Sequence, residues 1–397
     1  MIRLARVAIS AVALATSTVA YAAEPIPEVR PHNIRPDVHT DEGGLWARSD
    51  DTEKQIKTSA QLDTDAQLTG YVREVACKVA TDYCNEIRVY VLDLPFFNAG
   101  MAPNGSMQVW SGLLLRVDNE AQLAFALGHE TTHFVRNHSI ISWRQAKARS
   151  SVAMFVSIVA GGAGASILGD LVYLGMAASI FSFTREEEAE ADRFGLQRAQ
   201  EAGYDATQAV DVFRNLQAEV AASQFEKVRK EDAHTSVFDT HPNTAARLAA
   251  IQEQVKTVPG GGLVEKQRYR TMIRPHLGDW LKDDLRRKDF GESMHLIDHL
   301  VEQGEDLGVL HFYKGEAYRL RRQDGDLDLA RAAYELAVAQ PDVPVAAWRE
   351  LADAEQALGN GDKAREAYET YLAKAPQADD RWLVEASLKK LSTGEHS

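Results

Sequence analysis

The chain has 397 residues, 45% of them apolar and 26% charged, with 26 glycines and 12 prolines. That composition is globular, long enough for two or three domains, and excludes a fibrous or low-complexity protein. With 44 Lys and Arg against 58 acids the net charge is −14, which argues against nucleic-acid binding, or adhesion to anionic lipid, driven by bulk charge.

Arg3 and Arg6 precede the uncharged run Val7–Ala20, and Ala20-Tyr21-Ala22 has the small-x-small form of a secretory cleavage site. Residues 1–22 therefore read as a signal peptide, of the kind that directs bacterial export, with a periplasmic protein starting at Ala23. A membrane anchor, which needs about 20 strongly apolar residues, is the weaker reading because Ala, Ser and Thr dilute the run. Residues 23–58 contain Pro25, Pro27, Pro31 and Pro36 among charges and read as an extended arm. The two cysteines, Cys77 and Cys84, lie seven positions apart. In an exported chain such a pair reads as a disulfide before it reads as half of a zinc site, a local clip contributing about 2–3 kcal/mol.

Helical spacing runs from Ala60 to Ala80, and the β-branched alternation of Ile87–Leu92 predicts a strand. A second strand is expected at Gln108–Trp110, after the turn at Pro103-Asn104-Gly105. Asn119–His138 reads as one long helix with Leu123, Leu127 and Phe134 on its apolar stripe. Ser150–Gly169 and Leu171–Thr184 are uncharged on either side of Asp170. Two short helices over the protein's own core fit this stretch better than a membrane hairpin, because glycine, alanine and serine make a weak insertion signal. Peripheral contact of 150–183 with a membrane or a client is a third option. Further helices are expected at Thr184–Ala202, Ala206–Ala222 and Ala245–Lys256, and Pro259-Gly260-Gly261-Gly262 reads as a flexible boundary within a linker spanning 257–274.

Residues 275–397 read as all-helical with an internal repeat. Ala330 aligns with Ala364 and Tyr334 with Tyr368, both at a shift of 34. Trp348, Ala352, Ala364, Tyr368 and Pro376 stand where tetratricopeptide repeats place a large residue, two small ones, an aromatic and a closing proline, and Gly315 and Tyr318 start the preceding unit. The expected fold is therefore mainly α with a small β-sheet: a globular domain over 59–256, then a helical domain resembling tetratricopeptide repeats.

The chemistry is concentrated in Leu127-Gly-His-Glu-Thr-Thr-His-Phe134. On a helix His129 and His133 are about 40° apart in azimuth, so both imidazoles can bind one zinc ion. Glu130 stands beside the first ligand, in reach of water, as a general base. With 12 His and 29 Glu in the chain, the pattern His-Glu-x-x-His is expected by chance roughly 0.03 times. Two imidazoles make a poor catalytic zinc site, which normally has three protein ligands. The spacing His-Glu-x-x-His-x-x-Gly-x-x-His is absent, because position 136 is Arg and position 139 is Ser. A carboxylate from a later helix is needed, and Thr184-Arg-Glu-Glu-Glu-Ala-Glu-Ala-Asp192 offers Glu188 and Asp192 on one face, one for the metal and one to brace a ligand.

These two motifs, some fifty residues apart, resemble those of the M48 group of zinc metallopeptidases, a gluzincin-like fold. The resemblance covers roughly residues 60–255 and extends to Asn98-Ala99, Ser111-Gly112-Leu113-Leu114, Gly203-Tyr204 and Thr240-His241-Pro242 with Arg247. It implies that His129, His133 and Glu188 hold one Zn²⁺ per chain, that Glu130 is the catalytic base, and that Asp192 is a catalytic or ligand-orienting acid. His241 and Arg247 become candidates for transition-state stabilisation, or His241 for a regulatory fourth ligand; a helix cap before Pro242 explains His241 equally well. Met101-Ala-Pro departs from the usual apolar residues near the substrate edge.

An exported member with C-terminal repeats is similar to periplasmic β-barrel assembly-enhancing proteases. That implies a zinc endopeptidase degrading unfolded or stalled outer-membrane proteins, its repeats docking clients or the outer-membrane assembly machinery. The alternative is a chaperone or scaffold for outer-membrane assembly whose site is usually closed.

Overall fold

In the computed structural model the described residues are 30–148, 183–230 and 245–393. The expected signal peptide (1–22), the apolar insert up to residue 182 and His241 lie outside them. Among the described residues no helix is long and apolar enough to cross a membrane.

Residues 41–56 correct the expectation of an extended arm: Asp41–Ile56 is a helix, α1. Thr40 caps it, its Oγ1 accepting from the Gly43 N–H at 3.0 Å. Leu45, Ser49, Glu53 and Ile56 form its buried stripe at helical spacing. Most of the helix is polar, so its apolar signal is faint. What holds it is remote, because Arg88 donates through Nε and Nη2 to Glu53, each at 2.7 Å. The hydrogen bonds from Arg88 outweigh burial and, with Tyr90 and Lys57, bring the Glu53 carboxyl down to about 2.

The helix α2 (Ala66–Ala80) leads to a small sheet of β1 (Arg88–Leu92), β2 (Ala99–Met101) and β3 (Ser106–Trp110). The order is β1-β3-β2, with β1 parallel and β2 antiparallel to β3. β3 is buried along its whole length, as a central strand should be. β2 has three residues, too few for alternation to register, and was not expected. Among the described residues it pairs only with β3, so it is an edge. Gly105 at φ 87° makes the turn between them, where a Cβ would stand 2.1 Å from the Glu86 carbonyl oxygen.

After α3 (Ser111–Arg116), the expected 119–138 helix divides into α4 (Glu120–Val135) and α5 (His138–Ala148). Asn119 caps α4 by accepting from the Gln122 N–H at 3.0 Å, and Asn137 at φ 56° breaks the chain between the two helices. α6 (Arg185–Glu201) starts with a capping box in which Thr184 and Glu187 satisfy each other's backbone N–H groups. α7 (Ala209–Ala222), α8 (Glu226–Lys230) and α9 (Ala245–Val255) follow.

The expected linker over 257–274 is also corrected. Leu263 exchanges backbone hydrogen bonds with Gly203 and Asp205 at 2.9 and 3.0 Å. Lys266–Ile273 forms α10, whose Tyr269 is fully buried and donates its hydroxyl to the Leu114 carbonyl. The main core then continues without a gap through Leu277, Trp280 and Leu281 of α11 (Leu277–Leu285) and Leu296, Ile297 and Leu300 of α12 (Phe290–Glu302). Glycines at 260–262 did signal irregular backbone, but not separation of two bodies.

A second core starts in α13 (Leu307–Arg321) and runs through α14 (Asp326–Val338), α15 (Ala346–Ala357) and α16 (Gly361–Lys374) to Val384 of α17 (Arg381–Thr393). Ala330, Tyr334, Ala364 and Tyr368 are all buried in it, consistent with the 34-residue register. A Cβ on Gly315 would meet the Tyr334 ring at 2.3 Å, so the small residue there is a packing requirement.

Buried charge ties α11 and α12 to the helices before them. Arg116 of α3 donates to Glu219 of α7 through Nε and Nη2 at 2.8 and 2.7 Å, and to Asp284 of α11 at 2.6 Å. Arg287 pairs with Asp284 at 2.9 Å and with Glu292 of α12. Burial raises the Asp284 carboxyl, but Arg116 and Arg287 outweigh it and hold it at about 2. Glu292 behaves oppositely, because burial, with Glu219 and Asp289 nearby, pushes it up to about 7 against Arg287.

Replacing Arg116 by Ala takes the bidentate partner from buried Glu219 and one of two arginines from Asp284, and urea unfolding at pH 7 is expected to show a loss of about 3–5 kcal/mol. Glu292 titrates higher when folded than when unfolded. Its contribution is therefore present in full below the ordinary carboxylate range and lost as pH rises through about 7. Glu292→Gln should flatten the fall in stability between about pH 5 and pH 8, measured by the same unfolding experiment.

Candidate metal centre

Two helices build the site, and two glycines let them meet. A Cβ on Gly128 of α4 would stand 3.1 Å from the Gly195 carbonyl oxygen, and one on Gly195 of α6 would stand 3.0 Å from the His129 backbone nitrogen. This backbone approach presents the acidic face of α6 to the imidazoles of α4. His129 and His133 face each other with Nε2 atoms 3.1 Å apart. Glu188 places Oε2 3.6 Å from His129 Nε2 and Oε1 3.6 Å from His133 Nε2. One ligand atom from each of the three lies within 4.8 Å of the other two, and all three residues are buried.

Asp192, one turn beyond Glu188, meets the other side of the first imidazole, with Oδ1 3.0 Å from His129 Nδ1. Burial raises this carboxyl, yet the Arg247 guanidinium and the hydrogen bond from His129 hold it well below the usual carboxylate range. An ionised Asp192 takes the proton on Nδ1, so in a neutral His129 the Nε2 lone pair is bare. Bare nitrogen lone pairs and a carboxylate oxygen converging on one buried point repel one another unless a cation lies among them. A donor set of two imidazoles and one carboxylate suits zinc, so the residues present fit that ion.

Arg247 reaches the site from α9. Its Nε and Nη2 donate to Asp192 at 2.9 and 2.7 Å, and its Nη1 lies 2.8 Å from Glu188 Oε2. Burial works against its charge, but Asp192, Glu188 and then Glu130 raise its pKa further. Sequence reasoning offered Arg247 as a transition-state stabiliser; here it clamps the two carboxylates of α6. Glu130 is buried on α4 beside His129. Cys77 and Cys84 form a disulfide that staples the end of α2 to the turn before β1.

Sequence reasoning missed His138 and Phe183, and gave Glu190 a place in the acidic motif but no role. His138 Nδ1 lies 2.9 Å from His133 Nδ1, and its Nε2 lies 3.0 Å from Glu190 Oε2. Phe183 stacks on the His133 ring with centroids 3.9 Å apart. On the single helix expected over 119–138, residues 133 and 138 would point about 140° apart. The break at Asn137 is what folds His138 back. Glycines 128 and 195, each inside a predicted helix, were the available hint of a close crossing.

Comparison with known proteins agrees with this geometry. Residues 63–255, which contain every site residue named above, match the model of peptidase family M48. The chain is 28% identical over 211 residues to the β-barrel assembly-enhancing protease of Escherichia coli strain K12, covering 49% of this chain and 40% of that protein. It is 25% identical over 255 residues to the protein of the same name from Yersinia pestis, covering 60% and 50%. The mitochondrial metalloendopeptidase OMA1 of Bos taurus matches at 32% over 123 residues, 30% of this chain and 24% of that one. The chain spans half or less of the length of each of these relatives.

Gly195→Val should overpack the helix crossing, costing about 1–3 kcal/mol and weakening zinc binding without removing any ligand. Thermal unfolding and a zinc competition assay measure the two effects, and unchanged values in both would contradict the close-crossing argument.

Proposed function

Because residues 63–255 are a peptidase family M48 domain, we propose that the protein is a zinc-dependent endopeptidase acting on unfolded or misassembled envelope proteins. The observation that carries this reading is the convergence of His129, His133 and Glu188 within one coordination sphere, beside a buried Glu130. His129, His133 and Glu188 would hold one zinc ion per chain, which would supply Lewis acidity for water and for a peptide carbonyl. Glu130 accepts the proton of the attacking water and returns it to the leaving nitrogen. Asp192 holds the His129 Nδ1 proton, and Arg247 keeps Asp192 ionised while pairing with Glu188.

The edge strand β2 supports the choice of substrate. A peptide adds to such an edge through backbone hydrogen bonds when it is extended, a form that unfolded segments adopt readily. The relatives named β-barrel assembly-enhancing protease direct the proposal to stalled outer-membrane proteins as clients. The Cys77–Cys84 disulfide and the export-like N-terminus direct it to the periplasm. Helices α13–α16 are the region proposed to dock clients or the assembly machinery.

The burial of all three ligand residues favours a second reading, in which the chain works mainly as an assembly scaffold with its site shut. Glu130→Gln should retain zinc yet lose cleavage of a denatured β-barrel precursor by about 10²–10⁴-fold. Chelation should abolish cleavage by the wild type, and added zinc should restore it. Normal cleavage by Glu130→Gln refutes the base. Full rescue of a deletion strain by that variant favours the scaffold. The comparison requires point variants, because cutting at residue 275 would remove Leu277, Trp280 and Leu281 from the main core.

A further inference from the structure

Behind His129 stands the carboxylate of Asp192. Behind His133 stands another imidazole, and the direction of its hydrogen bonds follows from chemistry. A neutral His133 that offers its Nε2 lone pair toward Glu188 and His129 must carry its proton on Nδ1. That nitrogen is 2.9 Å from His138 Nδ1, so His138 Nδ1 is the acceptor. A neutral His138 with a bare Nδ1 carries its proton on Nε2, and Nε2 lies 3.0 Å from Glu190 Oε2, which accepts it. Arg136 fixes the far end, with Nε and Nη2 at 3.1 and 3.0 Å from Glu190 Oε1. Every link has a donor and an acceptor, and the direction is consistent from end to end.

We propose that His138 is a positioning residue for the metal centre, anchored by Glu190 and Arg136, which sets the tautomer and orientation of His133. The inference rests on the zinc reading above. It assigns the three alternate carboxylates of α6 separate tasks: Glu188 faces the metal, Asp192 orients His129 directly, and Glu190 orients His133 through His138. The inserted imidazole has a geometric reason. Residues 188 and 190 project about 200° apart around α6, so Glu190 cannot share the face that reaches the ligands. The break at Asn137 places the buried His138 in the gap. The physical role is that of a partner that fixes ligand orientation and raises ligand basicity, losses of which typically cost about 10–100-fold in metal affinity.

The test is zinc affinity of the full chain, read by competition with a chromophoric chelator, for the wild type, His138→Asn and His138→Phe. Asn places Oδ1 where His138 has Nδ1 and can still accept from His133, whereas Phe cannot. The expected result is a loss of about 10–100-fold for His138→Phe and a much smaller one for His138→Asn. Equal losses, or none in His138→Phe, overturn the proposal. Should His138→Phe fail to fold, the nitrogen NMR of histidines in the zinc-loaded wild type decides: a protonated His133 Nδ1 beside a bare His138 Nδ1 is expected, and a protonated His138 Nδ1 overturns it. A wild type that binds no zinc fails the metal reading itself, an outcome distinct from zinc binding that is indifferent to position 138.

Discussion

The site depends on one backbone contact, the crossing of α4 and α6 at Gly128 and Gly195. Glycine at both positions lets two helices approach until a Cβ on either would press on the other's backbone. Everything chemical follows from that spacing, because carboxylates reach the imidazoles from α6 only when the helix axes are this close. Metal ligation is sensitive to fractions of an ångström, so the packing at these two glycines decides whether the three ligand residues can converge.

Closeness has an electrostatic cost. Glu130, Glu187, Glu188 and Asp192 are all buried around the crossing, where isolated carboxylates would each lose solvation worth several kcal/mol. The protein offsets this with cations and donors set around the rim. Arg247 bridges Glu188 and Asp192, Arg136 takes Glu190, and the capping box engages Glu187. A cation held by His129, His133 and Glu188 would complete the balance.

The C-terminal helices divide into two groups by what they pack against. Helices α11 and α12 complete the core that also holds α4 and α6, and the Arg116–Glu219–Asp284 cluster locks them there. The stacked pairs from α13 onward have their own core.

The sequence alone specified whatever depends on local periodicity: the His-Glu-x-x-His helix, the capped acidic helix beginning at Thr184, the first and third strands, and the 34-residue register of alanine and tyrosine. These are properties of spacing along one element, and spacing is visible in a string of letters. It also narrowed the third ligand to Glu188 or Asp192, with a family resemblance choosing between them. Only the tertiary structure decided which side chains meet. α1 is held by Arg88, thirty-five residues away, so its polar stretch read as an arm. His138 reaches His133 because a left-handed residue breaks a helix that periodicity would continue. Residues 263–273 are pinned by pairing to Gly203 and Asp205 and by Tyr269, none of it local. In each case the deciding energy comes from contacts between residues distant in the chain, and one-dimensional spacing carries no information about those.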